Sequence, residues 1–208
     1  MILASRRSPV YLALFVALAF SIIPITPLRA ESTDPQVMVN GLVQQALALM
    51  RNKQLDDNIR NQQFEAMLDQ NFDIPRISRF VLGRYWIMAD AQDINTFNNL
   101  FEQWVVRTYS QRFKDYKGET INVTGARPES DTSFVVQSQL IHPDGSPPAD
   151  IDWHVNKEPD GFKILDIEVE GVSMALTERE EFSSVIQRNG GSVASLNQAM
   201  QQKLATSE

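Results

Sequence analysis

No cysteine occurs in this chain of 208 residues. Thiolate nucleophiles, thiolate metal sites and disulfide staples are excluded together. Histidine is nearly as scarce, with only His142 and His154. The sequence has no glycine-rich phosphate loop, no internal repeat and no low-complexity tract. After residue 23 no apolar run is long enough to span a bilayer. Basic charge is also in short supply, at 19 Lys and Arg against 26 Asp and Glu. That balance argues against nucleic acid as a partner and against tight electrostatic docking of the chain on anionic membrane.

The first thirty residues read as an export signal rather than as part of a fold. Arg6 and Arg7 supply a positive start, and residues 10–23 are apolar apart from Ser21. The run is shorter than a spanning helix requires. Pro24 and Pro27 end it, and Leu28-Arg29-Ala30 offers a small residue at a cleavage position. Cleavage is expected after Ala30, leaving residues 31–208 as a single mature domain. The residues flanking the arginine pair do not fit the twin-arginine route. All 26 acids lie beyond Ala30 and three arginines lie before it, so the mature charge is −10. About 178 residues are enough to bury a core without disulfides.

Periodicity gives an order of helices, then strands, then helices. Asp34 followed by Pro35 predicts a helix start. Val39, Leu42, Val43, Ala46, Leu47 and Met50 continue at helical spacing to about residue 51. A second helix is expected over 57–71 and a short third one from Pro75 to Gly83. The longest is expected over 90–116. There Ile94, Phe97, Leu100, Phe101, Trp104 and Val105 cover an arc of roughly 140°, wider than the ~100° stripe that packing on one sheet requires. Such a helix is touched on two sides or lines something. From residue 120 the period changes to two. Strands are expected over 120–126, 133–141, 151–155 and 162–169, joined by short turns that include Pro143-Asp144-Gly145 and Pro159-Asp160-Gly161. Helices follow from about residue 177 and over 193–204, separated by Gly190-Gly191.

Ten of the eighteen aromatic residues fall between Phe72 and Tyr116. No nucleophile or ligand cluster accompanies them, so the segment suits burial or the holding of an apolar ligand.

Residues able to do chemistry are few. Asp150, Asp152, Asp166, Glu168 and Glu170 lie on the last two strands and can be imagined as paired carboxylates. They mostly occupy alternate positions, as a solvated sheet face does without any function. His154 beside Asp152 is a candidate base, and the two histidines with acidic neighbours a candidate zinc site, but alternation places His154 opposite the Trp153 face. Ser173 in Gly171-Val172-Ser173-Met174-Ala175 lacks the final glycine of a nucleophile elbow. Arg76, Arg79, Arg84, Arg107 and Arg179 can meet a phosphate or a carboxylate, or simply pair with surface acids.

Four stretches in order carry a resemblance. They are residues 72–83 (Phe-Asp-Ile-Pro-Arg-Ile-Ser-Arg-Phe-Val-Leu-Gly), residues 101–109, the pair Asp152-Trp153, and residues 169–191, with Val169-Glu170-Gly171-Val172-Ser173-Met174-Ala175, Arg179-Glu180-Glu181-Phe182 and Asn189-Gly190-Gly191. Together, behind a signal peptide, they resemble the MlaC family of periplasmic phospholipid-binding proteins, also called toluene-tolerance auxiliary proteins. The resemblance covers most of the mature chain; residues 35–70 match in pattern alone. It implies an α+β fold: a curved antiparallel four-stranded sheet wrapped by N- and C-terminal helices, with an apolar lipid pocket between sheet and helices. It implies a monomeric periplasmic carrier whose cargo is phospholipid, with no other cofactor, no metal and no catalytic residue. Its implied partners are an outer-membrane lipoprotein–porin complex and an inner-membrane ABC transporter with an MCE-domain ring, in a system that maintains outer-membrane lipid asymmetry.

A carrier of this kind needs a deep apolar pocket. The expected lining is Phe80 and Val81 on the third helix, and Phe97, Phe101, Trp104 and Val105 on the long one. The strands contribute Val136, Leu140, Trp153, Val155, Ile164 and Ile167, and Met174 completes the set. Two other readings stay open on the residues alone. One is a periplasmic hydrolase using Asp152, His154 and Asp166; the other is a non-catalytic adaptor or chaperone.

Overall fold

The computed structural model describes residues 34–206, so the export signal and its cleavage after Ala30 lie outside the described residues. Three helices precede the sheet's main supports: α1 (Pro35–Arg51), α2 (Asp57–Asn71) and α3 (Ile74–Leu82). Each starts on an aspartate whose carboxylate accepts a backbone N–H: Asp34 from Gln36, Asp56 from Asn58, Asp73 from Arg76. A single turn, α4 (Tyr85–Met88), leads into α5 (Ala91–Ser110), which tightens into a 3₁₀ turn over Gln111–Asp115.

An antiparallel meander follows: β1 (Thr120–Pro128), β2 (Ser133–Ile141), β3 (Ala149–Glu158), β4 (Gly161–Val169) and β5 (Val172–Ser173), in that spatial order. The fifth strand exceeds the four expected. It is two residues long, too short for periodicity to register. A tight turn creates it: Glu170 and Gly171 both have positive φ, at 51° and 74°, the geometry of a two-residue hairpin loop. The chain closes with α6 (Met174–Arg188) and α7 (Val193–Ala205).

The long helix buries two different sides. Toward α6 and α7, Phe97, Leu100 and Phe101 join Phe182, Ile186, Leu196 and Met200 in one core. Within it the Phe97 and Phe101 rings stack at 5.6 Å, and Phe182 meets both edge-on. Toward the sheet, Val105, Val106 and Tyr109, with Phe113 from the turn that follows, pack against a second core, built from α1, α2 and the inward faces of β2, β3 and β4. The wide apolar arc is explained by this double burial.

Candidate functional site

Between the sheet and the helices lies a cavity of about 530 Å³. Its walls are almost wholly apolar. α1 contributes Leu42, Val43, Ala46 and Met50; α2 contributes Phe64, Met67 and Leu68; α5 and the turn after it contribute Phe101, Val105, Tyr109 and Phe113. The sheet supplies Ile121, Leu140, Ile151, Trp153, Ile167 and Val169. A second depression of about 600 Å³ runs between α2, α5 and the end of α7, but Asp57, Arg60, Glu65 and Lys114 make it polar. Only the first is suited to an apolar guest.

The cavity's polar groups are few. The Trp153 indole is held by a buried hydrogen bond, Nε1 donating to Ser138 Oγ at 2.8 Å. The Asp166 carboxylate accepts the Ser173 hydroxyl, the Ala175 N–H at 2.9 Å and the Ile167 N–H at 2.8 Å. It thus shares with Ser173 the capping of α6, where a negative charge is favoured by the helix dipole. Glu178 lies one turn further along α6, on the cavity wall. Burial pushes its carboxyl up, the nearby Glu181 adds to this, and Trp104 and Lys203 oppose it. Burial likewise raises the Tyr109 hydroxyl, with the Glu178 charge contributing in the same direction. Arg112, exposed to solvent, completes the polar lining.

Of the thirteen residues expected around a pocket, Val81, Phe101, Val105, Leu140, Trp153, Ile167 and Met174 line this cavity. The other six lie elsewhere. Phe80 is 43% exposed, because Ile77 and Val81 take the inward face of α3 and Phe80 falls about 100° away; the Arg179 guanidinium sits 5.2 Å over its ring. Phe97 and Trp104 turn toward α6 and α7; Trp104 packs on Phe182, and Lys203 Nζ lies 4.6 Å from the centre of its ring. Val136, Val155 and Ile164 face inward but are sealed in solid core. There the end of α2 closes on β4: Phe72 bridges to Ile164, and the Asp73 N–H donates to the Ile164 carbonyl at 3.1 Å.

The lining that the sequence reading missed includes everything that α1 and α2 contribute. The helical spacing of Leu42, Val43, Ala46 and Met50 was legible, but spacing does not say whether a face meets packed side chains or space. The polar strand residues also differ from expectation. Asp152, His154 and Glu168 are half-buried rather than freely solvated. His154 Nε2 lies 3.2 Å from Glu168, and Nδ1 lies 3.9 Å from Glu129. Asp166 is committed to α6. Of the three groups in the hydrolase reading, only Asp166 reaches the cavity wall. Among the described residues no three His, Asp or Glu side chains converge to hold a metal. No helix among them is long and apolar enough to cross a membrane.

Comparison with known proteins identifies a family and a similar solved structure. The family model described as MlaC protein matches residues 40–202. A phospholipid-binding protein from Ralstonia solanacearum, solved in complex with a phospholipid, is similar in structure, with a TM-score of 0.69. The two are 27% identical, and the match covers 83% of this chain and 97% of that one.

Proposed function

The chain belongs to the MlaC family, and from that premise we propose that it is a non-catalytic phospholipid carrier of the periplasm. The observation that carries the reading is the apolar cavity of about 530 Å³. It supports acyl-chain binding because each CH₂ removed from water contributes roughly 0.8 kcal/mol, so a chain of many methylenes is held without any covalent bond. The similarity to a protein solved with a phospholipid supports the same cargo. Arg112, on the cavity wall yet exposed, marks a place where a phosphate-bearing headgroup can meet both the protein and solvent.

The family further supports a route. In this proposal the protein is exported, loses its first thirty residues, and moves lipid between an outer-membrane lipoprotein–porin complex and an inner-membrane ABC transporter bearing an MCE ring. Lipid passes between carriers according to relative affinity, so neither a general base nor a metal is required. Asp166, whose oxygens are already engaged by three donors, is better explained as a helix cap than as a catalytic acid.

The experiment loads the purified protein with labelled phospholipid and adds acceptor liposomes bearing the inner-membrane complex. Label reaching the liposomes is the expected result. Stable loading without any transfer overturns the shuttle, and failure to load overturns lipid binding itself.

A further inference from the structure

We propose that the α3–α4 corner is a docking surface for the face of an anionic phospholipid bilayer. Ile87 and Met88, consecutive at the end of α4, are 85% and 71% exposed. Phe80 on α3 and Leu176 on the first turns of α6 are also exposed apolar side chains. α3 packs against both α6 and α4, so these residues belong to one corner of the fold.

Three arginines belong to the same corner, and each is laid on an aromatic ring. Arg79 lies 5.8 Å from the centre of the Trp86 ring, Arg84 4.9 Å from that of Tyr85, and Arg179 5.2 Å from that of Phe80. Gly83 keeps the space that Arg179 uses: a Cβ there would fall 2.8 Å from its Nε. None of the three arginines pairs with a carboxylate among the described residues, although the chain as a whole is acidic. Arg84 donates to the Tyr85 hydroxyl at 2.9 Å. A guanidinium has five N–H donors in a planar fork that matches phosphate oxygens, so one placed over a ring still has donors to offer.

Protruding apolar side chains and arginines on the same corner make the arrangement of a shallow interfacial anchor: the tip enters the acyl boundary while the cations meet headgroup phosphates. The net charge of the chain opposes membrane binding at long range, so this contact acts only once the corner touches the surface. It also has a place beside the cavity. The opposite side of α3 contributes Ile74, Ile77 and Val81 to the cavity wall. One short helix therefore stands between the docking surface and the cavity.

The test is sedimentation of purified protein with vesicles of phosphatidylglycerol and phosphatidylcholine, against vesicles of phosphatidylcholine alone. All variants carry the same N-terminus, so differences between them report the patch. The unaltered protein is expected to prefer the anionic vesicles, with binding that weakens as salt rises. Ile87→Ser combined with Met88→Ser should weaken binding about tenfold or more, since two apolar side chains no longer leave water. Arg79→Gln combined with Arg84→Gln should weaken it by roughly fivefold per charge and flatten the salt dependence. Val37→Ser, at an exposed apolar residue on α1, should change nothing. Circular dichroism confirms that each variant is folded, and native mass spectrometry reads the cavity's lipid separately. Loss of bound lipid with vesicle binding intact counts against the carrier function and leaves this proposal standing. Equal vesicle binding by all variants overturns it. So does vesicle binding that is unchanged while transfer to the inner-membrane complex fails, because the corner would then be a protein-docking surface.

Discussion

The indole Nε1 of Trp153 donates to Ser138 Oγ at 2.8 Å, and the same hydroxyl lies 3.2 Å from the Ile151 carbonyl, to which it donates in turn. Both side chains are buried, and the two strands are neighbours in the sheet. A cavity wall that must be apolar is thus built on a tryptophan whose one polar atom is satisfied from behind. Ser138→Ala leaves that N–H unpaired in a dry site, at a cost of about 1–3 kcal/mol. Urea unfolding should show a lower midpoint at unchanged slope. An unaltered midpoint would mean that the bond contributes nothing.

The strand acids are not equivalent. Asp166→Asn removes a charge that accepts from Ser173, Ile167 and Ala175 at the start of α6. A loss of about 1–2 kcal/mol is expected from the cap and the dipole together. Asp152→Asn removes no such partner and should fall within about 0.5 kcal/mol of the unaltered protein. Thermal unfolding of the two single variants, compared side by side, decides the point. Equal effects would return Asp166 to the plain surface role that alternation alone assigns it.

Glu178 makes stability depend on pH in a definite direction. Its native pKa is raised by burial, so the folded protein keeps this proton over a range where the unfolded chain has released it. Stability from this group is therefore fullest below its ordinary value of 4.5 and declines as pH rises through the range above it. Glu178→Gln imitates the protonated form. The variant should melt at a higher temperature than the unaltered protein near pH 7, and the gap should close as pH falls below 4.5. A gap of constant size at all pH values would show that ionisation is not the cause.

Ile121 is partly buried on β1 and borders the cavity. Ile121→Trp should fill part of the space with side chain, leaving the fold as stable or more so while reducing the lipid recovered by organic extraction. Full lipid recovery from a folded variant would place the acyl chains elsewhere.

Much of the fold is legible in the sequence. Asp34-Pro35 marks a helix start, the change of period near residue 120 marks the sheet, and Pro159-Asp160-Gly161 marks a turn. What escapes has a physical reason in each case. α4 is a single turn and β5 two residues, both shorter than a period. The arc of α5 shows that two sides are buried, but cannot say which side meets core and which meets space. Phe97 and Val105 are therefore alike in sequence, yet one lies in a ring cluster and the other on the cavity. Asp166 reads as one more alternating polar residue because its partner, the start of α6, is fixed only when β4, the Glu170-Gly171 turn and β5 fold together.

The central claim is that the cavity holds phospholipid non-covalently, and native mass spectrometry of purified protein before and after organic denaturation tests it most directly. The account predicts a native mass that exceeds the denatured mass by one or more phospholipid masses, with phospholipid in the organic phase. Identical masses under both conditions, from protein purified without detergent, would contradict it.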